Sequence, residues 1–133
     1  MKRCLIVDDS TVIRKVAKRI LSSETLRILE AENGSMGLAV CRSELPEYII
    51  LDATLPDYTP TEFITTLKGW VEADRMPVIL VLLHELDIVP IMRAKRAGAA
   101  GYLLKPFDRE SLTTRFFEQV EKARQARKPS RAA

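Results

Sequence analysis

The amino-acid sequence predicts an α/β fold, a doubly wound five-stranded parallel sheet with helices on both faces. The first observation is that short apolar runs alternate with segments whose apolar residues recur at helical spacing. The second is that the runs at 48–51 and 78–83 are apolar throughout, as in strands buried on both faces. The third is size, because 133 residues of which 47% are apolar suit one domain with its own core.

Five strand–helix units follow from this alternation. We expect strands at 4–7, 26–30, 48–51, 78–83 and 101–104, and helices at 12–21, 35–42, 60–71, 88–97 and 110–127. The strand order expected for a five-stranded sheet of this kind is 2-1-3-4-5.

Local signals support these boundaries. Thr59 precedes Pro60 at the first helical position and Glu62 at the third, which predicts a capping box for the third helix. Asp108 is placed to cap the last helix, and Gly98 to end the fourth.

Composition argues against several classes of protein. The net charge of +3 arises in residues 121–133, which hold five basic residues and one acidic residue, so the body is close to neutral. No helix-turn-helix remains once the sheet is assigned, and DNA binding is not expected. Cys4 and Cys41 fall at apolar positions without a Cys-x-x-Cys motif or a secretory segment, which favours buried free thiols in the cytoplasm. No apolar run approaches the ~18 residues of a membrane span.

Charged side chains follow three of the predicted strands at the point where each strand ends. Asp8 and Asp9 follow the first strand, Asp52 the third and Lys105 the fifth. Ligand sites of open parallel sheets lie beyond the carboxyl ends of the strands, where the strand order reverses. With strands one and three as neighbours, we expect the three carboxylates to converge and Lys105 to reach in from two strands away.

Three carboxylates in one pocket repel one another unless a cation or raised pKa values relieve the repulsion. An all-oxygen site with open positions suits Mg²⁺, which often shares its coordination with a phosphate. The chain has no glycine-rich phosphate-binding motif. The sequence therefore predicts an aspartate that itself receives a phosphoryl group, although an Asp-Asp pair after a strand is also common in helix-capping turns.

The segments that carry these residues are similar to those of a known family. LIVDDS (5–10), YIILD (48–52) and GAAGYLLKPF (98–107) resemble motifs of the receiver domains of two-component response regulators. The resemblance covers about residues 2–124 and implies a flavodoxin-like, CheY-like fold. We expect a stand-alone receiver over residues 1–126 and a short basic tail at 127–133.

The resemblance also implies a role for each site residue. Asp52 would be the phosphoacceptor, Asp9 and Asp52 carboxylate ligands of Mg²⁺, Asp8 a ligand directly or through water, and the Thr54 carbonyl a further ligand. Lys105 would bind a phosphoryl oxygen. A histidine kinase would be the phosphodonor, and the chain would not be an enzyme that acts on a separate substrate.

The sequence departs from the family pattern at the end of the fourth strand. Receivers normally carry Thr or Ser where Leu82 stands, and no Ser or Thr lies between Lys68 and Gly101. A leucine cannot donate the hydrogen bond that draws the loop toward the phosphoryl group. In the family, an aromatic residue of the fifth strand changes its rotamer as this Thr or Ser moves, and Tyr102 matches that aromatic residue. His84 lies at the mouth of the site, where it would either modulate the access of water or be an ordinary loop residue.

A second departure lies in the loop after Asp52. The family often has Met-Pro followed by a short Asp-Gly turn, whereas this chain has Leu55 and Pro56 followed by a longer run up to Pro60. We interpret Thr59 and Pro60 as structural, which leaves metal binding intact.

Two functional hypotheses follow. The first is a phosphoacceptor that relays a kinase signal to a flagellar motor component, another kinase or an adaptor. Its docking surface would be the fourth helix, fifth strand and fifth helix, whose basic residues favour an acidic partner. These residues surround Tyr102 and are Arg93, Lys95, Arg96, Arg115 and Lys122. The second, motivated by Leu82, is a docking module that works without phosphorylation.

A flavin-binding protein is disfavoured because Asp8 and Asp9 would repel a flavin phosphate. We expect the chain to be a monomer.

Overall fold

The computed structural model describes residues 1–126, so the predicted tail at 127–133 lies outside the described residues. The strands are β1 (Lys2–Val7), β2 (Leu26–Ala31), β3 (Tyr48–Asp52), β4 (Val78–Leu83) and β5 (Gly101–Leu104). The helices are α1 (Thr11–Leu21), α2 (Gly34–Ser43), α3 (Pro60–Lys68), α4 (Ile88–Ala97) and α5 (Arg109–Ala126), with a short 3-10 turn at Ala73–Arg75. The sheet is parallel in the order β2-β1-β3-β4-β5, which confirms the predicted fold class.

The core has two layers, one on each face of the sheet. Alternation along β1 sends Leu5 and Val7 to the layer beneath α2, α3 and α4, and Cys4 and Ile6 to the layer beneath α1 and α5. Phe63 of α3 is fully buried in the first layer. Because both faces are covered, the runs at 48–51 in β3 and 78–83 in β4 are apolar throughout, as the sequence predicted.

Side-chain caps fix the start of each helix. Thr59 and Glu62 form the predicted capping box at α3, with the Glu62 amide donating to Thr59 Oγ1 at 3.1 Å. The Ser111 amide donates to Asp108 Oδ1 at 2.7 Å, which caps α5 as predicted. Asn33 is the N-cap of α2, where its side chain accepts from the Met36 amide at 2.8 Å.

The end of α3 differs from the prediction. The helix stops at Lys68 rather than at Val71, because the chain tightens at Gly69, whose amide donates to both Thr65 and Thr66 carbonyls. At α4 the prediction is confirmed: the helix ends at Ala97, and Gly98 follows with a φ of 128°, a conformation that favours glycine.

Both cysteines are buried free thiols, as predicted. Burial raises the pKa of Cys4, and it raises the pKa of Cys41 to about 12. The two side chains therefore stay protonated and pack as small apolar groups. Within residues 1–126, no helix combines the length and apolar character needed to cross a membrane.

Candidate functional site

Three aspartates come together at the carboxyl ends of β1 and β3. Asp8 directly follows β1, and Asp52 is the last residue of its neighbour β3. One carboxylate oxygen from each of Asp8, Asp9 and Asp52 lies within 4.8 Å of the other two. Asp8 and Asp52 are fully buried, whereas Asp9 is exposed. The pocket thus has a buried anionic floor and one carboxylate at its entrance.

Lys105 reaches this floor from the end of β5. Its Nζ lies 2.7 Å from Asp8 Oδ2 and 3.2 Å from Asp52 Oδ1, and 7% of its side chain is exposed. The Lys105 amide donates to the Leu83 carbonyl at 2.7 Å, which ties the residue to the end of β4. The peptide bond to Pro106 is cis. One buried ammonium group therefore bridges the two buried carboxylates.

The two oxygens of Asp52 have different surroundings. Oδ1 accepts from the Thr54 amide, the Thr54 hydroxyl and Lys105 Nζ, each at 3.2 Å. Oδ2 is buried and accepts no hydrogen bond from the described residues. A buried carboxylate oxygen of this kind carries a desolvation cost unless a ligand or ion meets it.

Burial raises the pKa of Asp8, and the nearby negative charge of Asp52 adds to the effect. The ammonium group of Lys105 and the Ser10 amide, which donates to Asp8 Oδ1 at 2.9 Å, act in the opposite direction. The raised pKa shows that Lys105 does not fully offset the cost of burying this charge.

The donor set fits a hard divalent cation. Three carboxylates face one ammonium group, which leaves an excess of negative charge in a largely buried pocket. All three donors are carboxylate oxygens, and this small number leaves positions for water or a phosphate, as Mg²⁺ prefers. Asp8, Asp9 and Asp52 are the residues that could hold such an ion.

Comparisons with known proteins agree with this geometry. A family model described as the response regulator receiver domain matches residues 4–117. The chain belongs to the response regulator receiver family. Protein PilH of Pseudomonas aeruginosa is 34% identical over 112 residues, which cover 84% of this chain and 92% of PilH. The KDP operon transcriptional regulatory protein KdpE of Escherichia coli is 37% identical over 107 residues, but these cover 80% of this chain and 46% of KdpE.

Solved structures support the same assignment. Chemotaxis response regulator CheY4 of Vibrio cholerae superposes with a TM-score of 0.80 at 28% identity, over 90% of this receiver and 98% of that chain. A receiver from Bermanella marisrubri superposes with a TM-score of 0.77 at 30% identity, over 89% and 97% of the two chains. Receivers of this family bind Mg²⁺ at the acidic pocket and interact with histidine kinases and downstream targets.

The β4 side of this receiver's site is apolar. Leu82 pairs with Asp52 in the sheet register, is fully buried, and packs in the core layer beneath α1 and α5. Its carbonyl accepts from the Ala53 amide at 2.9 Å, so its backbone holds the loop after Asp52. The side chain at this position offers no polar group to the pocket.

The two remaining sequence candidates lie directly after β4 and within β5. His84 is exposed in the segment between β4 and α4. Tyr102 is half-buried against the core layer beneath α4, and the Arg115 guanidinium lies 5.7 Å from the centroid of its ring. The structure gives neither residue a contact with the carboxylates.

No pattern in the sequence predicts the contacts that hold the loop after Asp52. Both carboxylate oxygens of Asp57 accept from the first amides of α2, Gly34 at 2.8 Å and Ser35 at 2.9 Å. A carboxylate satisfies the free N–H groups and the positive end of a helix at this position. The Tyr58 ring fills the space where Gly34 lacks a side chain, since a Cβ there would lie 2.5 Å from a ring carbon. The partners are far apart in sequence, so spacing alone cannot reveal them.

A second support holds the β1–α1 loop and was also missed. Arg14 Nη1 donates to the Asp8 carbonyl at 2.7 Å, and its Nε donates to Glu30 Oε1 at 3.2 Å. Lys15 and Lys18 also pair with Glu30. Burial alone would raise the pKa of Glu30, but these cations outweigh it and lower that pKa.

Proposed function

We propose that this receiver is a magnesium-dependent phosphoacceptor for a histidine kinase, with Asp52 as the acceptor. The observation that carries the proposal is the buried Asp52 carboxylate, which lies beside Asp8 and Asp9 and contacts Lys105. A buried, preorganised arrangement of opposite charges is what phosphoryl transfer requires, because the protein contributes position and charge neutralisation.

The metal would be held by Asp8, Asp9 and Asp52, with the carbonyl of Thr54 as a further ligand. When bound, Mg²⁺ neutralises negative charge on the transferring phosphoryl group. Lys105 holds a second positive charge on the same side, and its contact with Asp52 Oδ1 supports a role in binding a phosphoryl oxygen.

The acceptor atom would be Asp52 Oδ2, the oxygen that accepts no hydrogen bond from the described residues. It attacks the phosphorus of the kinase's phosphohistidine, so that a P–O bond forms as the P–N bond breaks. The imidazole leaves with the electron pair. Water later attacks the phosphorus, releases inorganic phosphate and regenerates the carboxylate. The chain promotes this transfer to itself and has no separate substrate.

The output surface would be α4, β5 and α5. Arg93, Lys95 and Arg96 are exposed along α4, and Arg115 lies over the half-buried Tyr102. This basic face favours an acidic partner. We propose that residues 1–126 act as a monomeric receiver that signals through this contact, with His84 as a modulator of water access to the site.

A second candidate function rests on Leu82. A buried leucine beside Asp52 has no hydroxyl to report phosphorylation to α4. In that case the domain would act as a docking module whose binding does not depend on phosphate.

Intact-mass spectrometry tests the first function. The chain is incubated with Mg²⁺ and acetyl phosphate beside Asp52→Asn, and we expect one phosphoryl group on the wild type and none on the variant. Omitting Mg²⁺ should abolish the gain as well. A wild type that gains no phosphoryl group contradicts the proposal.

Amide NMR shifts distinguish the two functions. If the phosphorylated protein shows shifts in α4 and β5, the relay hypothesis holds. If Asp52 is phosphorylated and these elements do not respond, the docking-module hypothesis holds. A pull-down with wild type and Asp52→Ala then reports whether the same partner is recovered without phosphate.

A further inference from the structure

A groove lies at the amino-terminal ends of the strands, on the opposite side of the sheet from the acidic site. Leu45 and Val71, which line it, belong to the connections that lead into β3 and β4, at the amino ends of these strands. The carboxylates of the acidic site are at the carboxyl ends. The groove has a volume of about 490 Å³ and lies between the last turn of α2 and the segment after α3.

Trp70 forms one wall of this groove and is the single tryptophan of the chain. It is 40% exposed, and the guanidinium of Arg42 lies over its ring at 3.7 Å from the centroid. A stacked guanidinium loses little freedom when it binds a further partner, and Trp and Arg are enriched in the residues that dominate protein interfaces. The ring and the guanidinium thus form an ordered, accessible pair.

The charge in the groove is predominantly positive. Arg42 and Arg75 line it, and neither forms an ion pair with another residue of the described chain. Glu72 is the one carboxylate in the lining, and it has no ion-pair partner within residues 1–126 either. Two unneutralised guanidinium groups against one carboxylate favour an anionic occupant.

The groove also has an apolar part. Leu45 and Val71 are both half-buried and pack against the core layer beneath α2, α3 and α4. A binding segment could therefore bury an apolar side chain between its acidic residues, which is the usual arrangement of an interface with an apolar centre and a polar rim.

We propose that this groove, lined by Arg42, Trp70, Arg75, Leu45 and Val71, docks an acidic segment of a partner protein. Carboxylates of the segment pair with Arg42 and Arg75, and an apolar side chain lies against Leu45, Val71 and the Trp70 ring. The surface is separate from Asp52 and from the α4–β5–α5 face, so its occupation does not depend on the proposed phosphoacceptor role.

Tryptophan fluorescence tests the proposal directly, because Trp70 is the single indole of the chain and lies in the groove. The purified chain is titrated with a short peptide of Glu and Leu residues and with its Lys and Leu counterpart. We expect a saturable change of Trp70 emission with the acidic peptide, reduced at high salt, and none with the basic one. The same result is expected for Asp52→Asn.

Charge variants locate the contact. The guanidinium that stacks on the indole is that of Arg42, so Arg75→Gln leaves this contact in place and should weaken binding of the acidic peptide about fivefold. Glu72→Gln removes the opposing charge and should tighten binding about twofold. Arg19→Gln, at an exposed arginine of α1, is the matched control and should not change binding.

Several outcomes would overturn the proposal. They are no saturable change with the acidic peptide, an equal change with the basic peptide, and equal effects of Arg75→Gln and Arg19→Gln. If free glutamate at the same concentration gives the same change, the groove binds small anions rather than a protein segment. If Arg42→Gln lowers stability but leaves peptide binding unchanged, the Arg42–Trp70 contact is structural only.

Discussion

The two sides of the acidic site follow opposite rules. On the β1–β3 side, Asp8 and Asp52 are charged groups buried at the ends of strands, with Lys105 between them and loops held by Arg14 and Asp57. On the β4 side, the residue that pairs with Asp52 in the sheet is Leu82, which is buried and apolar. The first side holds like charges close together in a buried pocket, which costs free energy. The second side stabilises the fold by apolar packing. The groups proposed to bind a phosphoryl ligand and the position from which a hydroxyl would report it therefore lie on different strands of this receiver.

The largest effect is expected for Lys105→Met. Removal of the ammonium group leaves Asp8 and Asp52 buried without a cation, which should lower the free energy of unfolding by about 3 kcal/mol in the absence of divalent ions. Mg²⁺ should restore part of this loss. Urea unfolding with and without Mg²⁺ measures both, with Lys122→Met on the exposed surface of α5 as the control. Equal stability of the two variants would show that Lys105 does not offset the cost of burying the charges of Asp8 and Asp52.

Leu82→Thr tests the apolar side. Loss of a buried apolar group and burial of a hydroxyl should cost about 2 kcal/mol of unfolding free energy. If the hydroxyl restores the missing contact, the variant should also show larger amide shifts in α4 after phosphorylation. Leu103→Thr, at the paired position of β5, is the matched control, with a similar loss of stability and no gain of response. A gain in both variants would exclude a specific role for position 82.

Asp9→Asn separates metal binding from stability. Because Asp9 is exposed, the change should leave the free energy of unfolding nearly unaltered. It removes one of the three converging carboxylates, so we expect about tenfold weaker Mg²⁺ affinity by isothermal titration calorimetry. Unchanged affinity would place the ion elsewhere.

The smallest effect is expected from Glu30. Its pKa is lowered in the folded state, so its contribution to stability is present at neutral pH and is lost as the pH falls through that lowered pKa, in the acid range. Glu30→Gln should cost about 0.5–1 kcal/mol at pH 7, and the difference from wild type should vanish at low pH. Unfolding curves at several pH values measure this, and a difference that grows toward acid would refute it.

The sequence predicted the fold and the residues of the acidic site because both depend on local patterns. Strand ends are marked by the change from apolar to charged residues, and a parallel sheet brings those ends to one edge. The position of Leu82 beside Asp52 follows from the same register.

The supports around the site depend on contacts between distant segments. The carboxylate of Asp57 bonds amides whose availability is known only once α2 is placed beside the loop. Likewise, Arg14 reaches the Asp8 carbonyl through side-chain geometry that no period in the sequence encodes. The end of α3 was missed for a third reason, because Gly69 closes the helix with a tight turn that its apolar spacing does not reveal.

The bond between Asp57 and the start of α2 has a consequence for protein engineering. Residues 53–59 and the first turn of α2 form one transferable unit, even though β3 and α2 separate them in the chain. A chimera that receives a loop without Asp57 and Tyr58 would leave the first two amides of α2 without their carboxylate acceptor and the space at Gly34 without its aromatic ring. Designers who recombine receivers at this loop should therefore move both segments together.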